Sequence, residues 1–167
     1  MRSRIWLAMA LPAICVAATA LPVFAQQETP SGLTLEAIQV DPAEPGPDTL
    51  CKLKVSIRND GDQIASQLAF AVTVGGHELP VYGNQLFMVA LRPGESTEID
   101  LYNFWSTETS RPAPAGNELD VRVELREAEW MKIETVDEDG QEVEVWDPLG
   151  PVDGLPTSAG ITLPFGP

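Results

Sequence analysis

Cysteine and histidine are scarce in this sequence. The 167 residues include two cysteines, Cys15 and Cys51, and a single histidine, His77. Cys15 lies in an N-terminal apolar segment, so a disulfide within the rest of the chain is excluded and the fold must depend on its hydrophobic core. A zinc site would need several carboxylates beside these few ligands. A Ser-His-Asp or Cys-His arrangement could form only around His77, which follows Gly75-Gly76 in a predicted hairpin turn.

Other chemical motifs are also absent. The sequence has neither a Gly-x-Ser-x-Gly nucleophile motif nor a glycine-rich phosphate loop followed by lysine. The acidic stretch Asp137 to Asp139 with Gly140 departs from the spacing of a calcium loop and fits a hairpin turn instead. We therefore expect a protein that is not an enzyme, with no catalytic residues, no metal site and no cofactor.

Basic residues are few. Ten lysines and arginines stand against 25 aspartates and glutamates, which gives a formal net charge of −15. Loss of Arg2 and Arg4 with a cleaved leader would remove two positive charges and bring this value to −17. Such a surface argues against nucleic acid and anionic lipid headgroups as partners. It leaves two interpretations, plain solubility or a partner with a basic surface.

The N-terminus has the pattern of an export segment. Ile5 to Ala25 is a run of 21 uncharged residues that follows two arginines, and Val23-Phe24-Ala25 is a small-residue cleavage pattern. Residues 1–25 are thus a signal peptide or, since about 20 apolar residues can span a bilayer, a retained membrane anchor at Ile5–Ala25. Both alternatives place the folded part outside the cytoplasm, in the periplasm, secreted or anchored to the membrane. Residues 26–32 are expected to form a polar tether.

The rest of the chain lacks sustained helical periodicity and shows strand patterns. Cys51, Leu53, Val55 and Ile57 alternate with polar residues, as expected for a strand with one buried face. Short segments of this kind, separated by turn signals, predict an antiparallel β-sandwich over residues 33–146. The predicted strands are Leu33–Val40, Leu50–Asn59, Leu68–Val74, Glu78–Tyr82, Leu86–Leu91, Thr97–Leu101, Leu119–Leu125, Met131–Val136 and Glu142–Trp146. The predicted shared core comprises Leu53, Val55, Phe70, Val72, Ile99, Val121 and Val123.

Four stretches carry a family resemblance between Leu33 and about Leu125. They are Ile38–Pro42 with Glu44-Pro45-Gly46, Leu53–Gly61 with its Asn-x-Gly turn, Leu91–Ser96, and Phe104-Trp105. In these stretches the chain resembles CARDB, the cell-adhesion-related domain found in bacteria. The resemblance implies an immunoglobulin-like β-sandwich that acts as an extracytoplasmic module. It names no ligand, because fold analogy does not supply a partner.

The last 21 residues differ from the rest. Residues 147–167 hold five prolines, four glycines and two charges, which predicts an extended tail rather than a regular strand. Its spaced apolar residues, with the tryptophan that precedes it, are the candidate partner-binding residues, because a free tail would expose them to water. These residues are Trp146, Leu149, Val152, Leu155, Ile161, Leu163 and Phe165.

These features lead to three functional hypotheses. The first is an accessory or structural protein that docks on another protein, in its sharpest form a subunit that stabilises a respiratory, photosynthetic or transport assembly in the membrane. The second is a secreted adhesion or ligand-binding module whose tail packs on its own sandwich. The third is an unrecognised hydrolase.

Overall fold

The chain folds as an immunoglobulin-like antiparallel β-sandwich. The computed structural model describes residues 31–80, 86–107 and 116–166, and within them all regular structure is strand. The strands are β1 (Leu33–Asp41), β2 (Leu50–Asn59), β3 (Ile64–Val74), β4 (His77–Glu78), β5 (Leu86–Phe87), β6 (Ser96–Trp105), β7 (Glu118–Glu138), β8 (Gln141–Pro151) and β9 (Thr157–Pro164). The predicted all-β sandwich is thereby confirmed.

The strands form two sheets. The first sheet has the order β1-β2-β6, and the second has the order β4-β3-β7-β8, with β5 also paired to β3 and β9 also paired to β7. β7 is the centre of the second sheet, because β3 lies along one edge of it while β9 and β8 follow each other along the other edge. Its 21 residues exceed the reach of β3, whose pairing ends at Ile64 opposite Met131.

The core lies between the two sheets. Because side chains alternate across a strand, the apolar set on each inner face meets the set of the facing sheet. Leu53, Val55 and Ile57 of β2 are almost fully buried, as are Val121 and Val123 of β7. All seven residues of the predicted shared core belong to one buried cluster, which confirms that prediction.

Two turns confirm the sequence prediction of tight hairpins. Gly75 and Gly76 join β3 to β4 with φ angles of 56° and 80°, and Asp139 and Gly140 join β7 to β8 with φ angles of 55° and 82°. Positive φ at both central positions is the geometry of a two-residue type I′ turn, which suits the twist of the flanking strands. His77 is exposed beside the first of these turns, as predicted.

Two predicted strands, Leu119–Leu125 and Met131–Val136, are in fact parts of β7, so the break expected between them is wrong. The alternation loses its phase there, because Arg126 and Glu127 are both exposed while Leu125 and Ala128 are both buried. The pairing of β3 with β7 shifts register on either side of Ala69, opposite Glu127. An irregularity of this kind absorbs extra residues without ending the strand, so the pattern changes phase although the chain stays extended.

The C-terminal segment is also not what the sequence predicts. β8 extends to Pro151, and residues 157–164 form β9, so the prediction that 147–167 holds no regular strand is wrong and the sandwich does not end at residue 146. Prolines are tolerated here because β8 pairs only with β7 among the described strands. Pro156 precedes β9 and Pro164 is its last residue, where the proline ring interrupts little pairing.

Some predictions fall on residues that are not described. The signal or anchor segment 1–25 and most of the tether 26–32 lie outside the described residues, as does the end of the predicted strand Glu78–Tyr82. No helical segment in residues 31–80, 86–107 and 116–166 has the length and apolar character needed to cross a bilayer.

Candidate interaction surface

The structure separates the seven predicted partner-binding residues into three groups. Val152 and Leu163 are core residues, only 6% and 4% exposed. Leu155, Ile161 and Phe165 are partly buried against the same core. Leu149 is 54% exposed, and Trp146 is half-buried on β8. The seven residues therefore do not form one surface, and those in β9 serve the protein's own fold.

β9 is held by a regular ladder with β7. Leu163 lies opposite Leu119 and Ile161 opposite Val121, so the apolar side chains of β9 continue the inner face of the sheet. Beyond the strand, the backbone N–H of Phe165 donates a hydrogen bond of 2.7 Å to the carbonyl of Asn117. The C-terminal segment thus packs back on its own sandwich, as the second hypothesis expected.

Leu149 owes its exposure to a bulge. Trp130 pairs with Gly150 and Met131 with Pro148, so Leu149 is the extra residue of β8 between these two pairs. A bulged residue is displaced from the regular alternation and need not face the core.

Among the described residues, the feature that leaves the sandwich is the hairpin formed by the ends of β7 and β8. We call residues 132–147 the arm. β3 pairs with β7 only as far as Met131. β8 pairs with β7 without interruption beyond that point, from Lys132 opposite Asp147 to Glu138 opposite Gln141. The arm is therefore a two-stranded ribbon of seven residue pairs, which at about 3.4 Å per residue extends roughly 20 Å from the sheet.

None of the arm's side chains belongs to the buried core. Two-stranded ribbons are marginally stable by themselves and depend on cross-strand side-chain pairs. Ile133 lies opposite Trp146, and Val136 lies opposite Val143. At the tip, the N–H of Gly140 donates a hydrogen bond of 2.9 Å to Oδ1 of Asp137, which supports the turn.

The two faces of the arm differ in chemistry. Opposite residues of an antiparallel pair share a face, so the register assigns each side chain. The tryptophan face carries Ile133 and Trp146 near the sandwich and carboxylates toward the tip, Glu144, Asp137 and Glu142. The valine face carries Val136, Val143 and Val145 together with Lys132, Glu134, Glu138 and Asp147, and Val143 is 38% exposed.

The arm is strongly acidic. It contains seven carboxylates and one basic residue, Lys132, which gives a formal net charge of −6. The carboxylates are Glu134, Asp137, Glu138, Asp139, Glu142, Glu144 and Asp147. Lys132 forms an ion pair with Glu134, and the hydrogen bond to that carboxylate raises the pKa of the ammonium group. One cation cannot compensate seven anions, so the arm presents a field of negative charge.

The sandwich itself distributes its charge differently. Lys54 pairs with Glu98 at 2.7 Å, and Arg58 pairs with Asp60 at 2.8 Å, both on the outer face of the first sheet. The pKa of Lys54 is raised, chiefly by the hydrogen bond to Glu98. Opposite charges thus alternate across these strands, whereas the seven carboxylates of the arm have only one basic residue of the arm, Lys132, among them.

Another concave feature is an apolar cleft between the sheets. It is lined by Phe70, Val72, Leu79, Pro80, Phe87, Leu101 and Tyr102, and the rings of Phe70 and Phe87 meet edge to face at 5.7 Å. The cleft encloses about 20 Å³. A small-molecule pocket holds several hundred cubic ångströms, so the space inside this cleft is too small for such a ligand.

His77 is exposed in its hairpin, and the part of the chain that the structure describes contains no cluster of three or more potential metal ligands.

The arm is the feature that sequence reasoning missed. Its strands and turn were predicted, but its projection depends on where β3 stops.

Comparisons with known proteins add little. No protein-family profile matches the chain, and no curated protein matches it. Among solved structures, a Bordetella pertussis protein assigned provisionally as ApaA shares 21% identity, over 80% of this chain and 93% of that chain, at a TM-score of 0.37. A likeness at this level carries no argument about the present chain.

Proposed function

We propose that this chain is a non-enzymatic, extracytoplasmic immunoglobulin-like accessory protein that docks on another protein through the arm. The observation that carries the proposal is that β7 and β8 continue past the sandwich as a ribbon. Neither outer edge of that ribbon is paired to another strand among the described residues. The buried core contains no residue of this ribbon, and exposed connections on a rigid scaffold commonly bind partners.

The resemblance to CARDB supports the proposal, because that family consists of extracytoplasmic modules. The export pattern at Ile5–Ala25 supports the same location. With β9 built into the sandwich, the C-terminal segment no longer argues for a membrane-bound assembly as the partner. That sharper form of the proposal depends on retention of the N-terminal segment as an anchor.

A secreted adhesion or ligand-binding module is the second candidate. The packing of Val152 and Leu163 into the protein's own core favours it, since this is the arrangement expected of a self-contained module. The two candidates share a docking arm and differ in whether the partner is in the same membrane. The hydrolase hypothesis gains no support from the described residues.

The test uses a variant that lacks the arm but keeps the sandwich. The residue pair Lys132 and Asp147 lies six positions along a regular ladder from the pair Glu138 and Gln141. Because hydrogen-bonded and non-hydrogen-bonded pairs alternate, the two pairs are of the same type, and the first can carry the same two-residue turn. Deleting residues 133–138 and 141–146 therefore joins Lys132 to Asp139-Gly140 and then to Asp147. We call this variant the short-arm protein.

The full chain and the short-arm protein are expressed in the native host with the same C-terminal tag and purified from gently solubilised envelopes. The proposal expects one stoichiometric partner with the full chain and its loss with the short-arm protein. A partner that both proteins retain equally would move the docking site to the sandwich and overturn the role of the arm.

The N-terminus of the purified native protein separates the two candidates. Mass spectrometry that finds Gln26 as the first residue of a soluble protein supports the secreted module. An intact Ile5–Ala25 segment in the membrane fraction supports the accessory subunit. A full-length protein soluble in the cytoplasm would contradict both.

A further inference from the structure

The geometry points to a specific occupant for the arm: an extended segment of a partner protein, with alternating basic and apolar residues, that adds as a strand to the outer edge of β8. This inference rests on the proposed function and specifies its partner.

The outer edge of β8 offers backbone groups for pairing. A two-residue turn closes on a hydrogen-bonded pair, here Glu138–Gln141, and the pairs alternate in type along the ladder. The backbone N–H and C=O groups of Glu142, Glu144 and Trp146 therefore point away from β7. Exposed groups of this kind are the template on which an extended peptide pairs.

Between residues 142 and 146, the carboxylates along this edge lie on one face. Glu142, Glu144 and Trp146 lie on the tryptophan face, whereas Val143 and Val145 lie between them on the valine face. An added strand would place its own alternate residues beside these two sets. Basic residues suit the first set, because they pair with carboxylates and can lie against the indole ring. Apolar residues suit the second set.

The outer edge of β7 does not show this separation. Ile133, Thr135 and Asp137 lie on one face there, and Val136 lies between Glu134 and Glu138 on the other. Charged and apolar side chains are thus mixed on both faces of that edge. Between residues 142 and 146 the carboxylates of β8 lie on the tryptophan face alone, whereas β7 has carboxylates on both faces, and for this reason we assign the docking edge to β8 rather than to β7.

Charge excludes a second copy of the chain as the occupant. Two β8 edges in antiparallel pairing would set glutamates of one copy close to glutamates of the other, and like charges in cross-strand positions are destabilising. The formal charge of −6 on each arm adds to the repulsion. A basic segment removes this repulsion and gains attraction instead.

The probe is a capped, fluorescently labelled nine-residue peptide in which lysine alternates with valine. Its affinity for the native full chain is measured by fluorescence anisotropy at low salt. The same composition with lysines and valines in separate blocks controls for charge alone. A peptide N-methylated at alternate residues controls for backbone pairing, because it removes the N–H donors that a ladder needs.

Two double variants complete the design. Glu142→Gln with Glu144→Gln removes two charges at the β8 edge, and Glu134→Gln with Asp137→Asn removes two charges from β7 of the same arm. We expect the first to weaken binding by about tenfold or more and the second by about twofold or less. The block and N-methylated peptides should bind at least about tenfold more weakly than the alternating peptide.

Equal weakening by both double variants, or equal affinity for the alternating and N-methylated peptides, would show general charge attraction and overturn strand addition at β8. Undetectable binding of every peptide would also overturn it, leaving the edge carboxylates as guards against self-association. Neither outcome affects the comparison between the full chain and the short-arm protein, so failure of this inference is distinguishable from failure of the proposed function.

Discussion

The side-chain amide of Asn59 donates a hydrogen bond of 2.8 Å to the carbonyl oxygen of Leu91, 32 residues further along the chain. Asn59 is fully buried, and its amide also donates to the carbonyl of Gln63 at 2.6 Å. Its Oδ1 accepts a hydrogen bond of 2.9 Å from the N–H of Gly61. One side chain thus joins the turn after β2 to the segment before β6.

Replacement of this residue should be costly. Asn59→Ala removes two donors and one acceptor from a buried site, so we expect the free energy of unfolding to fall by about 2 to 3 kcal/mol. Urea denaturation measures the change. Asn103→Ala, at an exposed position of β6, is the matched control and should change it by less than about 0.5 kcal/mol. Equal effects at both sites would mean that the Asn59 network contributes nothing specific.

Leu163 and Leu149 give the second prediction, because both were candidate partner contacts and the structure assigns them opposite environments. Leu163→Ala removes a side chain from the core and should cost about 2 to 4 kcal/mol of unfolding free energy. Leu149→Ala changes an exposed bulge residue and should cost less than about 0.5 kcal/mol. Thermal and urea unfolding of the two variants measure these changes. A Leu163→Ala protein as stable as the wild type would mean that β9 does not contribute to the core.

The contrast between β2 and β9 shows what the sequence could predict. In β2 every second residue is apolar and no proline interrupts the run, so the strand was predicted with the bounds that it has. In β9 the alternation is also present, since Ala159, Ile161 and Leu163 alternate with small or polar residues. The prolines and glycines around it outweighed this pattern, although prolines at strand ends and on edge strands are compatible with a sheet.

The arm marks a limit of a different kind. Its two strands and the turn at Asp139-Gly140 follow from local patterns, and both were predicted. Whether such a hairpin lies inside the sandwich or beyond it depends on where a neighbouring strand ends, here Ile64 of β3 opposite Met131. That pairing joins residues far apart in sequence, and no local pattern encodes it.

Strand register gives the third prediction. Val55 is fully buried in β2, so Val55→Asp would place an unpaired carboxylate in the core and should unfold the domain. Gln39→Asp introduces the same group at an exposed position of β1 opposite Lys54 and should be tolerated. Circular dichroism at room temperature measures the outcome. A Val55→Asp protein with the circular dichroism spectrum of the wild type would mean that the assigned inner face of β2 is wrong.

The ion pair between Glu78 and Arg126 predicts a dependence on pH. The guanidinium nitrogens of Arg126 donate hydrogen bonds of 2.9 and 2.8 Å to the two carboxylate oxygens, and these bonds lower the pKa of Glu78. Because the folded pKa is lowered, the stabilisation is complete above the unfolded pKa of about 4.3 and is lost as pH falls through the folded pKa. The pair is exposed, so the effect is small.

The melting temperature of Glu78→Gln should therefore lie slightly below that of the wild type at about pH 7, and the difference should vanish as the pH falls below the folded pKa of Glu78. Arg126→Gln and the double variant complete a mutant cycle that isolates the pair from other titrating groups. A difference that grows as the pH falls would show that the carboxylate destabilises the fold.

Two deletions of similar length test whether the arm and β9 differ as the structure requires. The short-arm protein loses twelve residues, none of which is in the buried core, so its unfolding free energy should change by less than about 1 kcal/mol. Deleting residues 157–167 instead removes Leu163 and the ladder that covers one edge of β7, and this protein should be largely unfolded. Thermal melting followed by circular dichroism compares both with the full chain. If the short-arm protein melts as low as the β9 deletion, Ile133 and Trp146 stabilise the sandwich, and the arm is a structural extension of the core before it is a docking element.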